Sequence, residues 1–298
     1  MTTKKSSGKE AKKKNAGFRF IPRIWSFTIG ALIFGLLFFV LLTIGFMGSM
    51  PNIKQLENPK NALSSEVLSE DGKLLGKYYL QNRTKISYND IAKSTVDALV
   101  STEDERFYEH SGIDARAIAR ALKGMGKDGG ASTLTQQLAK NLFSEKPKSK
   151  VMRVVQKFKE WIIAVRLEKR YSKDEILTMY LNTVPFTHLS WGIDAASREF
   201  FNKAPIDLKL EESAVLIGML KANTAYNPKR NPKDSKKRRN VVLAQMVRNG
   251  KLSEEEYDKL KVQDIVLDYH KEEYEGQASY FRDYLAKFMK SWSKKNGY

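Results

Sequence analysis

The spacing of apolar and polar positions divides this chain of 298 residues into three regimes. Residues 24–46 (I-W-S-F-T-I-G-A-L-I-F-G-L-L-F-F-V-L-L-T-I-G-F) hold no charged side chain. A helix of that length is roughly 34 Å long, enough to cross a bilayer core of about 30 Å. The hydrophobic region of a cleaved signal peptide runs to only about 7–15 residues, so the segment reads as a retained anchor. A buried core helix is the other reading, and 23 consecutive residues without a charge, apolar all round, favour the anchor over it. Residues 47–64 follow as a polar, Pro-punctuated linker. Apolar positions at 66–68 and 73–80 around Asp71-Gly72 then predict one β-hairpin. From residue 89 onward the pattern is helical almost throughout, broken at 124–130, Pro147, Pro185, Pro205, 226–232 and Gly250. The fold class is therefore mainly α with a small hairpin, preceded by one transmembrane helix.

Three helical stretches carry candidate chemistry. Ile91, Val96, Leu99 and Val100 predict a helix whose end places Glu103 and Asp104 beside Phe107 and His110. A carboxylate at a helix end among aromatic groups suits a general acid or base, because low-dielectric walls raise its pKa toward neutrality. The same residues also fit a solvated acidic helix end. Next, K-G-M-G-K-D-G-G (123–130) permits positive φ and mobility, and A-S-T-L-T-Q-Q-L-A-K-N follows it directly. Thr133 with Gln136 fits a capping box, and Gln136 and Lys140 share one helix face. The start of a helix behind a glycine-rich loop can receive an anion such as phosphate. In 150–168, Val151, Val155, Phe158, Ile162 and Val165 fall within about 80° and predict the core stripe. Arg153, Lys157, Glu160 and Ala164 cluster opposite. Those cations could hold phosphates with the carboxylate orienting one of them, or the face could be a solvent face laced with ion pairs.

Charge narrows the partners. The formal net charge is +18, and residues 1–23 carry eight Lys and Arg against one Glu. That basic flank before the apolar segment predicts a cytoplasmic tail and an extracytoplasmic remainder. The other basic residues then meet lipid headgroups or an anionic substrate, and nucleic acid is not an expected partner. The chain has no cysteine, which excludes disulfides, a thiol nucleophile and cysteine metal sites. His110, His188 and His270 lie far apart in sequence, so no metal site is expected from the protein itself.

Five motifs taken together resemble the peptidoglycan glycosyltransferases, both the monofunctional enzymes and the N-terminal domains of class A penicillin-binding proteins. They are E-D-E-R-F-Y-E-H-S-G (103–112), G-A-S-T-L-T-Q-Q-L-A-K-N (130–141), K-F-K-E (157–160), I-L-T-M-Y-L-N (176–182) and R-R-N-V-V-L (238–243), in family order. The resemblance spans about residues 66–246. It implies a lysozyme-like, two-lobed glycosyltransferase domain over 65–250, with a C-terminal helical extension over 251–298. The implied reaction polymerises lipid II with inversion and release of undecaprenyl pyrophosphate. By motif, Glu103 is the general base and Glu160 the second carboxylate. Gln137, Lys140, Arg153 and Lys157 bind the pyrophosphate, and Asp104, Phe107, His110, Ser132, Thr133, Gln136 and Asn141 complete the substrate cleft. No cofactor is essential in this reading, which leaves room for a divalent cation, Mg or Mn, at the pyrophosphate. Expected partners are lipid II, the growing glycan, membrane lipids and other cell-wall synthesis proteins, at the bacterial plasma membrane.

The chain departs from the family pattern at Gln156, where Arg is usual, at Thr178, where Glu is frequent, and in a longer 144–151 connection. The 176–182 motif and Arg238-Arg239 are read as packing. Residues 280–290 resemble the connector ahead of a transpeptidase domain, and no K-T-G occurs. The alternatives are a lysozyme-like enzyme that cleaves glycan, or a catalytically silent cell-wall scaffold.

Overall fold

The computed structural model of the chain describes residues 20–44, 50–51, 65–71, 74–78, 85–124, 130–144, 147, 149–187, 190–270 and 279–296. It divides into two compact units, residues 1–51 and 52–298.

The described part of the first unit is essentially one helix, α1 (Phe20–Thr43). Its Trp25–Thr43 stretch, with a mean hydropathy of 2.3, is long and apolar enough to cross a membrane. Trp25, Phe27, Leu32 and Phe34 all point outward, which only an apolar surrounding would make favourable. The helix begins ahead of the apolar run because Pro22 falls in its first turn, where a proline breaks no helical hydrogen bond.

The second unit opens with the predicted hairpin. Strands β1 (Ser65–Leu68) and β2 (Leu74–Tyr78) pair antiparallel from Ser65↔Tyr78 to Leu68↔Leu74, with an irregularity after Val67. Lys73, Tyr79 and Leu80 of the predicted second strand lie outside the described residues. Helices α2 (Lys93–Glu103), α3 (Ala115–Lys123), α4 (Leu134–Phe143), α5 (Lys150–Glu168), α6 (Lys173–Thr183), α7 (Ile193–Phe201), α8 (Leu210–Met219), α9 (Pro232–Arg248), α10 (Glu254–Val262) and α11 (Ser279–Lys295) follow.

These helices sort into two packed groups. In one, α8 is buried continuously from Ser213 to Met219 and is clasped by α2 and α9. A helix apolar all round demands such surroundings. Its one buried hydroxyl, Ser213, is matched by Thr95 Oγ1 at 2.8 Å and Ser94 Oγ at 3.0 Å on α2. In the other group, α4 packs on α5 and α6, and α7 touches both α6 and α8.

The late arginines are structural, as read from the sequence. Arg239 is 1% exposed, and its guanidinium donates to the carbonyls of Leu260 (3.0 Å), Lys261 (3.4 Å) and Gln263 (2.8 Å). Leu260 and Lys261 lie in the last turn of α10 and Gln263 is its C-cap, where backbone donors for the carbonyls run short. Burial lowers the Arg239 pKa from its ordinary value, with Glu211 and Asp264 opposing. Arg238 donates to Gly218 O at 3.4 Å.

Helix α5 corrects the predicted core stripe. Val155, Glu160, Ile163, Ala164 and Leu167 are buried, whereas Val151 is 72% and Val154 56% exposed. Phe158, Ile162 and Val165 are half-buried. The opposite face, read either as a phosphate-holding face or as a solvent face, meets Ser144 at the end of α4 through Glu160 and the turn at Gly112 through Ala164. Periodicity finds a stripe, but only the packing partner decides which stripe is covered.

Candidate active site

The site starts where α2 ends. Asp104 leaves the helix with φ −158°, ψ 74°, and its side chain is 4% exposed. It accepts from Leu134 N, the first residue of α4, at 2.9 Å and from His110 Nε2 at 3.1 Å. The Gly112 N–H donates to His110 Nδ1 at 3.2 Å, which makes Nδ1 an acceptor and leaves the ring proton on Nε2, facing Asp104. Gly112 has φ +89°, and its carbonyl accepts from Thr133 Oγ1 (2.8 Å) and Gln136 Nε2 (3.0 Å).

Two expectations change here. Gln136 does not close a capping box: Thr133 caps Gln136 N at 3.2 Å, but the Gln136 amide turns to Gly112. And the anion received at the start of α4 is the chain's own Asp104 carboxylate, favoured there by the helix dipole. Residues 125–129 of the glycine-rich loop, like His188, lie outside the described residues.

The 104–112 turn is braced from below. Phe107 is fully buried and sits edge-on to His110 and Tyr108. Lys173 Nζ lies 4.3 Å from the Phe107 ring centroid, donates to His110 O at 2.6 Å and pairs with Glu168 at 2.8 Å. Glu168 also accepts from Thr135 Oγ1 at 2.5 Å. Beyond the turn, Asp114 caps α3 through Ala117 N (2.9 Å) and pairs with Arg106 (2.7 Å). Burial pushes the Asp114 carboxyl up, but Ala117 N–H and Arg106 outweigh it and hold the group below the ordinary carboxylate range.

Glu103, one residue earlier, is half-buried. Its Oε2 accepts from Gln137 Nε2 at 3.0 Å, and Gln137 Oε1 accepts from Tyr180 OH at 3.0 Å. On α5, Lys157 Nζ donates to Ser132 Oγ at 2.8 Å and pairs with Glu160 Oε2 at 3.2 Å. Glu160 is 5% exposed and also receives Ser144 Oγ at 3.4 Å. Lys140 and Arg153 are exposed, and their side chains form no ion pair or hydrogen bond among the described residues. Among those residues no three acidic or histidine side chains converge on a metal position.

This constellation coincides with a known sequence family. Residues 71–247 match the family described as Transglycosylase, well over half of the chain. The chain belongs to the transglycosylase family. Penicillin-binding protein 1A of Haemophilus influenzae is 37% identical over 238 residues, 78% of this chain and 27% of that protein. Penicillin-binding protein 1F of Bacillus subtilis is 43% identical over 197 residues, 65% of this chain and 27% of its own length. Penicillin-binding protein 1A/1B of Bacillus subtilis is 34% identical over 305 residues, 97% of this chain and 32% of its own. A crystal structure of the Haemophilus influenzae protein aligns with a TM-score of 0.45 and 24% identity, over 80% of this chain and 25% of that one. The chain thus spans about a quarter to a third of the length of the curated relatives it matches.

Within this transglycosylase domain the residues singled out from sequence fall into distinct settings. Asp104, Phe107, His110, Thr133 and Gln136 form a buried scaffold. Glu103 and Gln137 meet each other, and Ser132, Lys157 and Glu160 form a second cluster. Lys140 and Arg153 are exposed near the ends of α4 and α5, and Asn141 is half-buried. Sequence reasoning missed three residues. Lys173 and Glu168 brace the turn, and Tyr180, assigned to packing, reaches the Glu103 cluster. A phenol among the fully buried Ile176, Leu177 and Leu181 was the available signal, since a buried hydroxyl requires a partner.

Proposed function

We propose that this transglycosylase polymerises lipid II into glycan strands at the outer face of a bacterial plasma membrane. The 4-hydroxyl of the acceptor sugar attacks the anomeric carbon of the donor chain, and its proton passes to Glu103. Undecaprenyl pyrophosphate leaves from the opposite face, so the transfer inverts the anomeric centre. Lys140, Arg153 and Lys157 offset the charge that grows on the leaving group, and Glu160 orients Lys157. Helix α1 is the anchor, with the basic segment before it in the cytoplasm. Membrane lipids, the growing strand and other cell-wall synthesis proteins are the expected partners.

The observation that carries this reading is a partition of charge. Glu103 has one oxygen on Gln137 and no cation partner among the described residues, which suits a proton acceptor. Lys140 and Arg153 have no carboxylate partner among them, which suits cations waiting for an anionic ligand. Hydrolysis of a neutral glycan would leave that second set without a task.

Lipid II polymerisation in detergent, with products resolved on a gel, tests the reading. The parent chain should give a glycan ladder, and Glu103→Gln should slow it by about a hundredfold or more. A Glu103→Gln ladder as strong as the parent's would sink the assignment of the base.

A further inference from the structure

We infer that Tyr180 is a positioning residue for the proton acceptor: its hydroxyl fixes the Gln137 amide, and the amide fixes Glu103. The inference rests on the reading of Glu103 as the base.

Tyr180 lies in the middle of α6 and is 1% exposed. Phenylalanine would fill the same apolar space, so packing does not call for the hydroxyl. A hydroxyl buried there needs a hydrogen bond, and the bond it makes is to Gln137 Oε1 at 3.0 Å. That oxygen can only accept, so the phenol is the donor and the Nε2 end of the amide must face Glu103 Oε2, also at 3.0 Å. Turned the other way, the amide would set its carbonyl oxygen against an ionised carboxylate. Burial, and then the charge of Glu103, hold the Tyr180 pKa well above its ordinary value, so the phenol keeps its proton.

The relay therefore has one direction, from the Tyr180 O–H through the Gln137 amide to Oε2 of Glu103. With Oε2 held, Oε1 is the oxygen left to receive a proton, and it has no partner among the described residues. An amide bonded at one end can swing about its terminal torsion, whereas one bonded at both ends cannot. Tyr180 touches no reacting atom in this scheme, and its contribution is the orientation of a group that does. Three different helices, α2, α4 and α6, supply the three members, so the carboxylate's aim is set by tertiary packing rather than by its own helix.

The test uses the full chain in detergent, with initial rates of lipid II polymerisation for Tyr180→Phe, Gln137→Met, the double variant and Glu103→Gln. Tyr180→Phe should lower kcat about tenfold, the factor a single neutral hydrogen bond is worth, with KM within about twofold. Gln137→Met, similar in volume but unable to relay, should lower kcat at least as far. Adding Tyr180→Phe to Gln137→Met should lower it no further, since the relay is already cut. An unchanged kcat in Tyr180→Phe would overturn the inference. So would an equal loss from Tyr180→Phe in both backgrounds, or a Tyr180→Phe chain that does not fold beside a fully active Gln137→Met. The base assignment fails separately, and visibly, if Glu103→Gln keeps the parent's rate.

Discussion

Gly112→Ala should destabilise the domain by an amount that the local geometry fixes. Gly112 has φ +89°, and an added Cβ would lie 2.9 Å from both C and O of Ala164 and 3.0 Å from Val165 N. A left-handed backbone costs about 1–2 kcal/mol for a residue with a Cβ. The clash is with the backbone of α5, which cannot rotate aside as a flexible side chain would, and overpacking of that kind costs about 1–3 kcal/mol more. Together these give about 3 kcal/mol, or a fall of roughly 6–12 °C in Tm for a domain of this size. Gly250→Ala is the control, since Gly250 has φ +67° and no atom within 4 Å of a built Cβ, so only the backbone contribution of about 1–2 kcal/mol remains. Thermal unfolding followed by far-ultraviolet circular dichroism, on both variants of the full chain in detergent, compares them. If the two variants fall equally, the close approach of the 104–112 turn to α5 is not what requires the glycine. Activity should fall with stability in Gly112→Ala alone, because the displaced carbonyl also holds Thr133 and Gln136 and the neighbouring N–H holds His110.

Arg239→Lys keeps the charge but cannot span the carbonyls of Leu260, Lys261 and Gln263. Chemical denaturation should show a loss of about 2 kcal/mol, with KM for lipid II unmoved. Asp114 offers a pH test, with its carboxyl held below the ordinary range although burial opposes this. A depressed carboxylate contributes stability that is complete above its unfolded pKa of about 3.9 and is lost as pH falls through the folded value. The parent should therefore lose stability below about pH 4, and Asp114→Asn, less stable at neutral pH, should lose less over the same interval. Equal acid slopes for the two chains in urea titrations would refute the assignment.

What the sequence made legible was local. The uncharged run at 24–46, the hairpin around Asp71-Gly72, the helix end at Glu103 and the Thr133 cap are each written within a few neighbouring residues, and the described residues show a helix over Phe20–Thr43, the paired strands Ser65–Leu68 and Leu74–Tyr78, a helix ending at Glu103 and a Thr133 cap on Gln136 N. What it left open required partners distant along the chain. Gln137 lies 34 residues from Glu103 and 43 from Tyr180, and no periodicity links them. The covered side of α5 was misjudged for the same reason: Val151 and Val155 make an apolar stripe, but the turn at Gly112 meets the helix at Ala164. Tyr180 reads as packing because four of its six motif neighbours, Ile176, Leu177, Met179 and Leu181, are apolar, whereas its hydroxyl acts across to another helix.

The start of α4 shows how these two kinds of information combine into chemistry. A helix N-terminus attracts one anion within its first turn, and here Asp104 already accepts from Leu134 N while Thr133 satisfies Gln136 N. On the proposed function, a pyrophosphate would therefore meet side-chain cations rather than those backbone donors. This separates two jobs that one helix might have merged. The N-terminal end of α4 holds the acidic turn rigid and so fixes where Glu103 emerges, while Lys140, a full turn or more beyond it, stays exposed with Arg153 on α5. On the proposed function, a base held by a neutral hydrogen bond and cations left without carboxylate partners must be kept apart, since an ion pair between them would quench both. Gln137, uncharged and placed between Glu103 and Tyr180, supplies a hydrogen bond to the carboxylate without bringing a cation to it.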